Sequence, residues 1–122
     1  MPRILAVDDD PSMEVYYDAL LSEAGYDVRT APNADSAVEI LASHRPELLV
    51  LDAEMPGGGG EKVFTTARKL LSRGIPVIFV TGLPDRVIYF ALTQAKVRIF
   101  RKPLKEDELL KSIEELLAGG SK

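Results

Sequence analysis

Short apolar runs and helically spaced apolar positions alternate five times along this chain. The stretch Arg3–Val7 is apolar and ends in Asp8-Asp9-Asp10. Pro11 suits a first helical turn, with Ser12 and Glu14 beside it, and Met13, Tyr16, Tyr17, Leu20, Leu21 and Ala24 then recur at helical spacing until Gly25. Residues 26–31 read as a second, weaker strand. Asn33 is placed to cap a second helix whose apolar positions are Ala34, Ala37, Val38 and Leu41. Residues 47–51 read as a third strand, continuously apolar from Leu48 to Leu51 as a parallel strand covered on both faces requires, and end in Asp52. Met55-Pro56 and the four glycines Gly57 to Gly60 predict a loop, mobile because glycine restricts the backbone least. Val63, Phe64, Ala67, Leu70 and Leu71 mark a third helix, stopped by Gly74. A fourth strand at residues 76–80 ends at Thr81-Gly82, and a fourth helix follows from Pro84 to about Gln94. A short fifth strand at residues 97–100 precedes Arg101-Lys102-Pro103. The last helix covers residues 105–117, with Leu109, Leu110, Ile113, Leu116 and Leu117 as its stripe.

This alternation predicts an α/β fold: a flavodoxin-like, doubly wound sheet of five parallel strands in the order 2-1-3-4-5, with five helices on its two faces. Residues 1–118 form one domain on this reading, and 119–122 a flexible tail or the start of a linker. The length of 122 residues suits a single domain with its own core.

Composition narrows the chemistry. Nineteen Asp and Glu against fifteen Lys and Arg give a net charge of −4, which argues against direct nucleic-acid binding. Cysteine is absent, which excludes disulfides and thiolate metal sites, and His44 is the only histidine. His44 lies near a helix end beside Arg45-Pro46 and is expected to be exposed. No apolar run approaches the roughly 20 residues of a membrane span, and no signal-peptide pattern opens the chain. No membrane association is expected, and the cytoplasm is the expected location.

In such a sheet, ligands bind beyond the carboxyl ends of the strands, where strand order reverses. Asp8, Asp9 and Asp10 follow the first strand and Asp52 ends the third, so these acids should converge on one crevice. Thr81 and Lys102 follow the fourth and fifth strands. Several carboxylates this close call for a cation, and Mg²⁺, an oxygen-preferring ion that keeps some of its waters, suits an open crevice. A carboxylate, Mg²⁺, a hydroxyl and a lysine together serve phosphoryl transfer to the carboxylate. Taken singly, each residue has a plainer explanation: turn and cap aspartates, a turn threonine, a surface lysine. Their convergence at one crevice is what points to shared chemistry.

The set Asp8-Asp9, Asp52-Ala53-Glu54-Met55-Pro56, Thr81 and Lys102-Pro103, in this order at four strand ends, resembles the response regulator receiver domain of two-component signalling, the CheY-like superfamily. The resemblance covers residues 2 to 117. It implies that Asp52 is the phosphoacceptor. It further implies that Asp8, Asp9, Asp52 and the backbone carbonyl of Glu54 hold Mg²⁺, and that Thr81 and Lys102 contact the phosphoryl group. The bond before Pro103 is cis in the family. The implied donor is a sensor histidine kinase or a histidine phosphotransfer protein, and the implied reader a downstream output domain or protein. On this reading the chain is no enzyme beyond its own phosphorylation and dephosphorylation.

Four positions depart from the family pattern. The family carries an aromatic switch residue three positions before the lysine, and here that position is Ile99. Phe100, one later, faces the other side of the strand. Gly82 stands where alanine is common, and Ala95-Lys96 where Gly-Ala often ends the fourth helix. Asp10 has no family role and is expected to be exposed or to cap the first helix. The apolar run Val87 to Leu92 exceeds what one core-facing stripe needs, which makes Tyr89 and Phe90 candidates for a partner surface. A homodimer would use the fourth helix, fifth strand and fifth helix. Two other readings stay open: a phosphorylation-independent pseudo-receiver, and a haloacid-dehalogenase-like phosphatase using Asp8 as nucleophile.

Overall fold

A stretch of four apolar residues has no polar face to offer water, so it must be covered on both sides. The computed structural model, which describes residues 1–53, 59–72, 74–82 and 93–119, places two such stretches at the centre of one sheet. Its strands are β1 (Arg3–Val7), β2 (Asp27–Ala31), β3 (Leu48–Asp52), β4 (Val77–Thr81) and β5 (Val97–Arg101). All neighbours are parallel and the order is β2-β1-β3-β4-β5, as the sequence predicts. The helices among the described residues are α1 (Pro11–Glu23), α2 (Ala34–His44), α3 (Gly59–Leu70) and α4 (Glu106–Leu117). The further helix expected at residues 84–94 lies almost wholly outside the described residues. No helix among them is long and apolar enough to cross a membrane.

Alternation along the strands splits the core into two layers. Leu5, Val7, Leu49, Leu51, Val77 and Phe79 face α2 and α3, meeting Ala37, Leu41, Val63, Phe64 and Ala67. Ile4, Ala6, Leu48, Val50, Ile78 and Val80 face α1 and α4, meeting Tyr17, Leu21, Leu109, Ile113 and Leu116. Side-chain caps set two helix starts. Asp10 accepts from the Ser12 backbone N–H at 2.9 Å and from its hydroxyl at 2.8 Å, and Asn33 accepts from the Ser36 N–H at 2.8 Å.

Three expectations need correction. The glycine run is not all loop: Gly59 and Gly60 form the buried first turn of α3. Gly59 has φ +67°, and a Cβ there would stand 2.6 Å from the Ala53 carbonyl oxygen. A Cβ on Gly60 would stand 2.7 Å from the Asp52 carbonyl oxygen, so the helix closes on the strand end at a distance only glycine allows. Second, α3 ends at Leu70, ahead of Gly74, and Leu70, expected on the helix's apolar stripe, is half exposed at its last residue.

Third, His44 is buried, 8% exposed. Ala34, Ala37, Leu41 and His44 are the buried positions of α2, so the imidazole continues the helix's inward stripe. Its Nε2 has no hydrogen-bond partner. A buried polar atom left unpaired costs stability, so His44→Leu is expected to stabilise the fold by about 1 kcal/mol. At this chain length that raises the thermal midpoint by roughly 4 °C, measurable by thermal unfolding. An unchanged or lowered midpoint would contradict it.

Candidate functional site

Three ladders bring the strand-end residues together. The Asp8 N–H donates to the Ala31 carbonyl at 3.1 Å, which extends β1 by one residue and fixes Asp8 just beyond the sheet. Asp52 ends β3 beside Val80 of β4. The Lys102 N–H donates to the Thr81 carbonyl at 2.9 Å, which ties the residue after β5 to the end of β4. Asp8 and Asp52 take the same strand alternation as Ala6 and Val50, and so face the α1 and α4 side.

The three expected acids converge. Carboxylate oxygens of Asp8, Asp9 and Asp52 lie within 4.8 Å of one another; Asp8 and Asp52 are buried and Asp9 is exposed. Lys102 Nζ lies 3.4 Å from Asp8 Oδ2 and 3.5 Å from Asp52 Oδ2. Both distances exceed the roughly 2.7–2.9 Å of a tight charge-assisted bond, so the ammonium bridges the pair loosely. Asp8 Oδ1 accepts from the Asp10 N–H at 2.9 Å, which holds its carboxylate in place. Asp10 itself points away as the α1 cap, as expected.

Among the described residues the charges are unequal: three carboxylates gather around the Lys102 ammonium. Burial raises the Asp8 carboxyl above its ordinary range and Asp52 adds to the rise, while the Asp10 N–H and Lys102 pull the other way. Burial works against the Lys102 ammonium, but Asp52 and Asp8 outweigh it and hold the lysine above its ordinary value. Among the described residues the candidate ligands are the hard carboxylate oxygens of Asp8, Asp9 and Asp52, and this set fits a divalent cation of the magnesium type.

The raised Asp8 carboxyl has a stability consequence in metal-free protein. Folding takes up a proton between the ordinary value of 3.8 and the raised one, so Asp8's contribution falls as pH rises through that window. At neutral pH the folded state carries this penalty. Asp8→Asn, which keeps an oxygen for the Asp10 N–H, is therefore expected to raise stability in a chelator by roughly 1 kcal/mol. The gain should fade as the pH is lowered below about 4, where both forms are neutral. Urea unfolding at two pH values measures this, and a destabilised variant at neutral pH would contradict it.

The remaining expected residues fall as follows. Thr81 is fully buried at the end of β4. Ile99 pairs with Phe79 and packs with the α2 and α3 layer, on the face that Thr81 shares by alternation. Phe100 packs with the α1 and α4 layer instead, so the aromatic ring lies on the opposite face. The Lys102–Pro103 bond is cis. Glu54, Tyr89 and Phe90 lie outside the described residues. One contribution was not read from the sequence: the close seat of Gly60 on the Asp52 carbonyl. The helical stripe through Val63 and Phe64, run back one turn, contains Gly60 and was the available signal for it.

Comparison with known proteins agrees with this geometry. Residues 4–114 match the family described as the response regulator receiver domain. Protein PilH of Pseudomonas aeruginosa is 34% identical, with 98% of this chain aligned to 100% of that one. The transcriptional regulatory protein AruR of the same organism is 39% identical over 71% of this chain, which spans 37% of AruR's length. A solved response regulator receiver domain protein, CheY-like, from Methanospirillum hungatei is similar in structure. It superposes with a TM-score of 0.88 at 27% identity, over 98% of this chain and 96% of that one.

Proposed function

The chain belongs to the response regulator receiver domain family, and we propose that Asp52 is its phosphoacceptor. One observation carries the assignment. Asp52 is the buried carboxylate that ends the central strand β3, within reach of both the acid cluster and Lys102. A carboxylate oxygen of Asp52 attacks phosphorus, the bond from phosphorus to the donor's leaving group breaks, and the leaving group departs with that electron pair. The product is an aspartyl phosphate. A bound Mg²⁺ would offset the charge on the phosphoryl oxygens.

The other residues divide the remaining work. Asp8 and Asp9 supply the oxygens that hold the cation. Lys102, loosely shared between Asp8 and Asp52, turns to the incoming phosphoryl oxygens. Thr81 donates its hydroxyl to the group from the end of β4. The chain modifies itself and turns over no separate substrate. A phosphohistidine on a sensor histidine kinase or phosphotransfer protein supplies the phosphoryl group. A downstream output domain or protein reads the change, and we place these events in the cytoplasm.

Incubation with acetyl phosphate and Mg²⁺ tests the reading by intact-mass measurement. One added phosphoryl mass that requires the metal is expected. No added mass at saturating Mg²⁺ would overturn it.

A further inference from the structure

Asp8 and Asp10 make the same turn in succession. The Asp8 carboxylate accepts from the N–H two residues on, that of Asp10, at 2.9 Å. The Asp10 carboxylate accepts from the N–H two residues on, that of Ser12, at 2.9 Å, and the same oxygen accepts from the Ser12 hydroxyl at 2.8 Å. Aspartate side chains form such turns readily. The Asp10 carbonyl is engaged as well, accepting from the Met13 and Glu14 N–H groups at 3.0 and 3.2 Å. Pro11 follows, which favours the extended backbone that Asp10 adopts at φ −87° and ψ 116°. The donor that holds the buried Asp8 carboxylate therefore belongs to a residue anchored to α1 through both its side chain and its carbonyl. Asp10 is itself exposed, and its carboxylate is not one of the three that converge.

We infer that Asp10 is a positioning residue of the acidic site: by capping α1, its side chain holds in place the N–H that orients Asp8 toward the cation. The inference rests on the proposed function, because it needs Asp8 to hold the cation. Asp8 has two donors, the Asp10 N–H on Oδ1 and Lys102 on Oδ2 at the longer distance of 3.4 Å. Lys102 is also the group that turns to the phosphoryl oxygens. Once it turns, the Asp10 N–H is the donor left to Asp8 among the described residues. An outer donor of this kind fixes the orientation of a metal-holding carboxylate. Without the cap, the peptide between Asp9 and Asp10 loses its tie to Ser12, and the donor it carries is no longer held on Asp8.

Asp10→Ala and Asp10→Asn lose the same charge, but only asparagine keeps an oxygen that can accept from Ser12. Asn33→Ala removes the corresponding cap of α2, whose oxygen accepts from the Ser36 N–H at 2.8 Å, and is the control for a lost cap as such. Mg²⁺ affinity is read by amide NMR titration and stability by urea unfolding. Asp10→Asn is expected to bind Mg²⁺ within about threefold of wild type, and Asp10→Ala about tenfold more weakly than Asp10→Asn. Asn33→Ala should lose as much stability as Asp10→Ala yet bind Mg²⁺ like wild type. Equal affinities in Asp10→Ala and Asp10→Asn would overturn the inference, because the lost charge alone would then account for any weakening. An equal weakening in Asn33→Ala would overturn it too, by marking a general loosening of the fold. Absence of Mg²⁺ binding by the wild type would overturn the functional reading, and this inference with it.

Discussion

Asp52→Asn is expected to take up no phosphoryl group from acetyl phosphate under conditions that label the wild type fully. The amide has no free carboxylate to attack phosphorus, and its lone pairs are drawn into the C–N bond. The substitution otherwise changes little. Asparagine is nearly isosteric, and the buried position at the end of β3 keeps its shape. Asp8, Asp9, Thr81 and Lys102 all remain, so the experiment separates the acceptor from the groups around it. The fold should tolerate the change, because removing one of three crowded carboxylates relieves repulsion. Intact mass and peptide mapping give the readout. Labelling that persists in Asp52→Asn but disappears in Asp8→Asn would move the nucleophile to the first strand, as in a haloacid-dehalogenase-like phosphatase. Labelling that persists in both would exclude Asp52 and Asp8 alike as the sole acceptor.

The acid site was readable because two independent regularities coincide. Strand alternation makes the sheet order nearly inevitable once crossovers are right-handed, and the doubly wound order then decides which strand ends adjoin. Asp8 and Asp52 needed only to follow their strands to be brought together. The features that escaped depend on tertiary contact. Glycine is a poor helix former, so Gly59-Gly60 reads as loop from propensity alone; what makes it helix is the approach of α3 to the carbonyls of Ala53 and Asp52. His44 beside Arg45-Pro46 looks like a surface turn, and only its place three residues after Leu41 puts it inside. Ile99 and Phe100 show the converse. The period of two in a strand was enough to state that the aromatic ring faces away from Thr81, and the two core layers bear this out.

Gly60→Ala is the substitution expected to damage the fold most. In an ordinary exposed helix the same change stabilises by about 1 kcal/mol, because alanine loses less backbone entropy on folding. Here the new methyl would meet the Asp52 carbonyl oxygen at 2.7 Å and the Phe79 ring at 3.2 Å. The first neighbour is backbone of the central strand and the second is a fully buried side chain, so neither can step aside cheaply. Relief requires α3 to move off β3, which opens the layer where Val63, Phe64 and Ala67 meet Leu51 and Phe79. A cost of about 3 kcal/mol is expected, at the upper end for overpacking. That lowers the thermal midpoint by roughly 12 °C. Gly74→Ala is the contrast, since a methyl there meets only Ser72 Oγ at 3.8 Å, and it should stay within about 0.5 kcal/mol of wild type. The Asp52 carbonyl is the group displaced in Gly60→Ala, so labelling of Asp52 should slow as well, even at temperatures where the variant is fully folded. A variant as stable as wild type would show that α3 does not seat on the strand end as described, and a destabilised variant with a wild-type labelling rate would show that the seat does not position the acceptor.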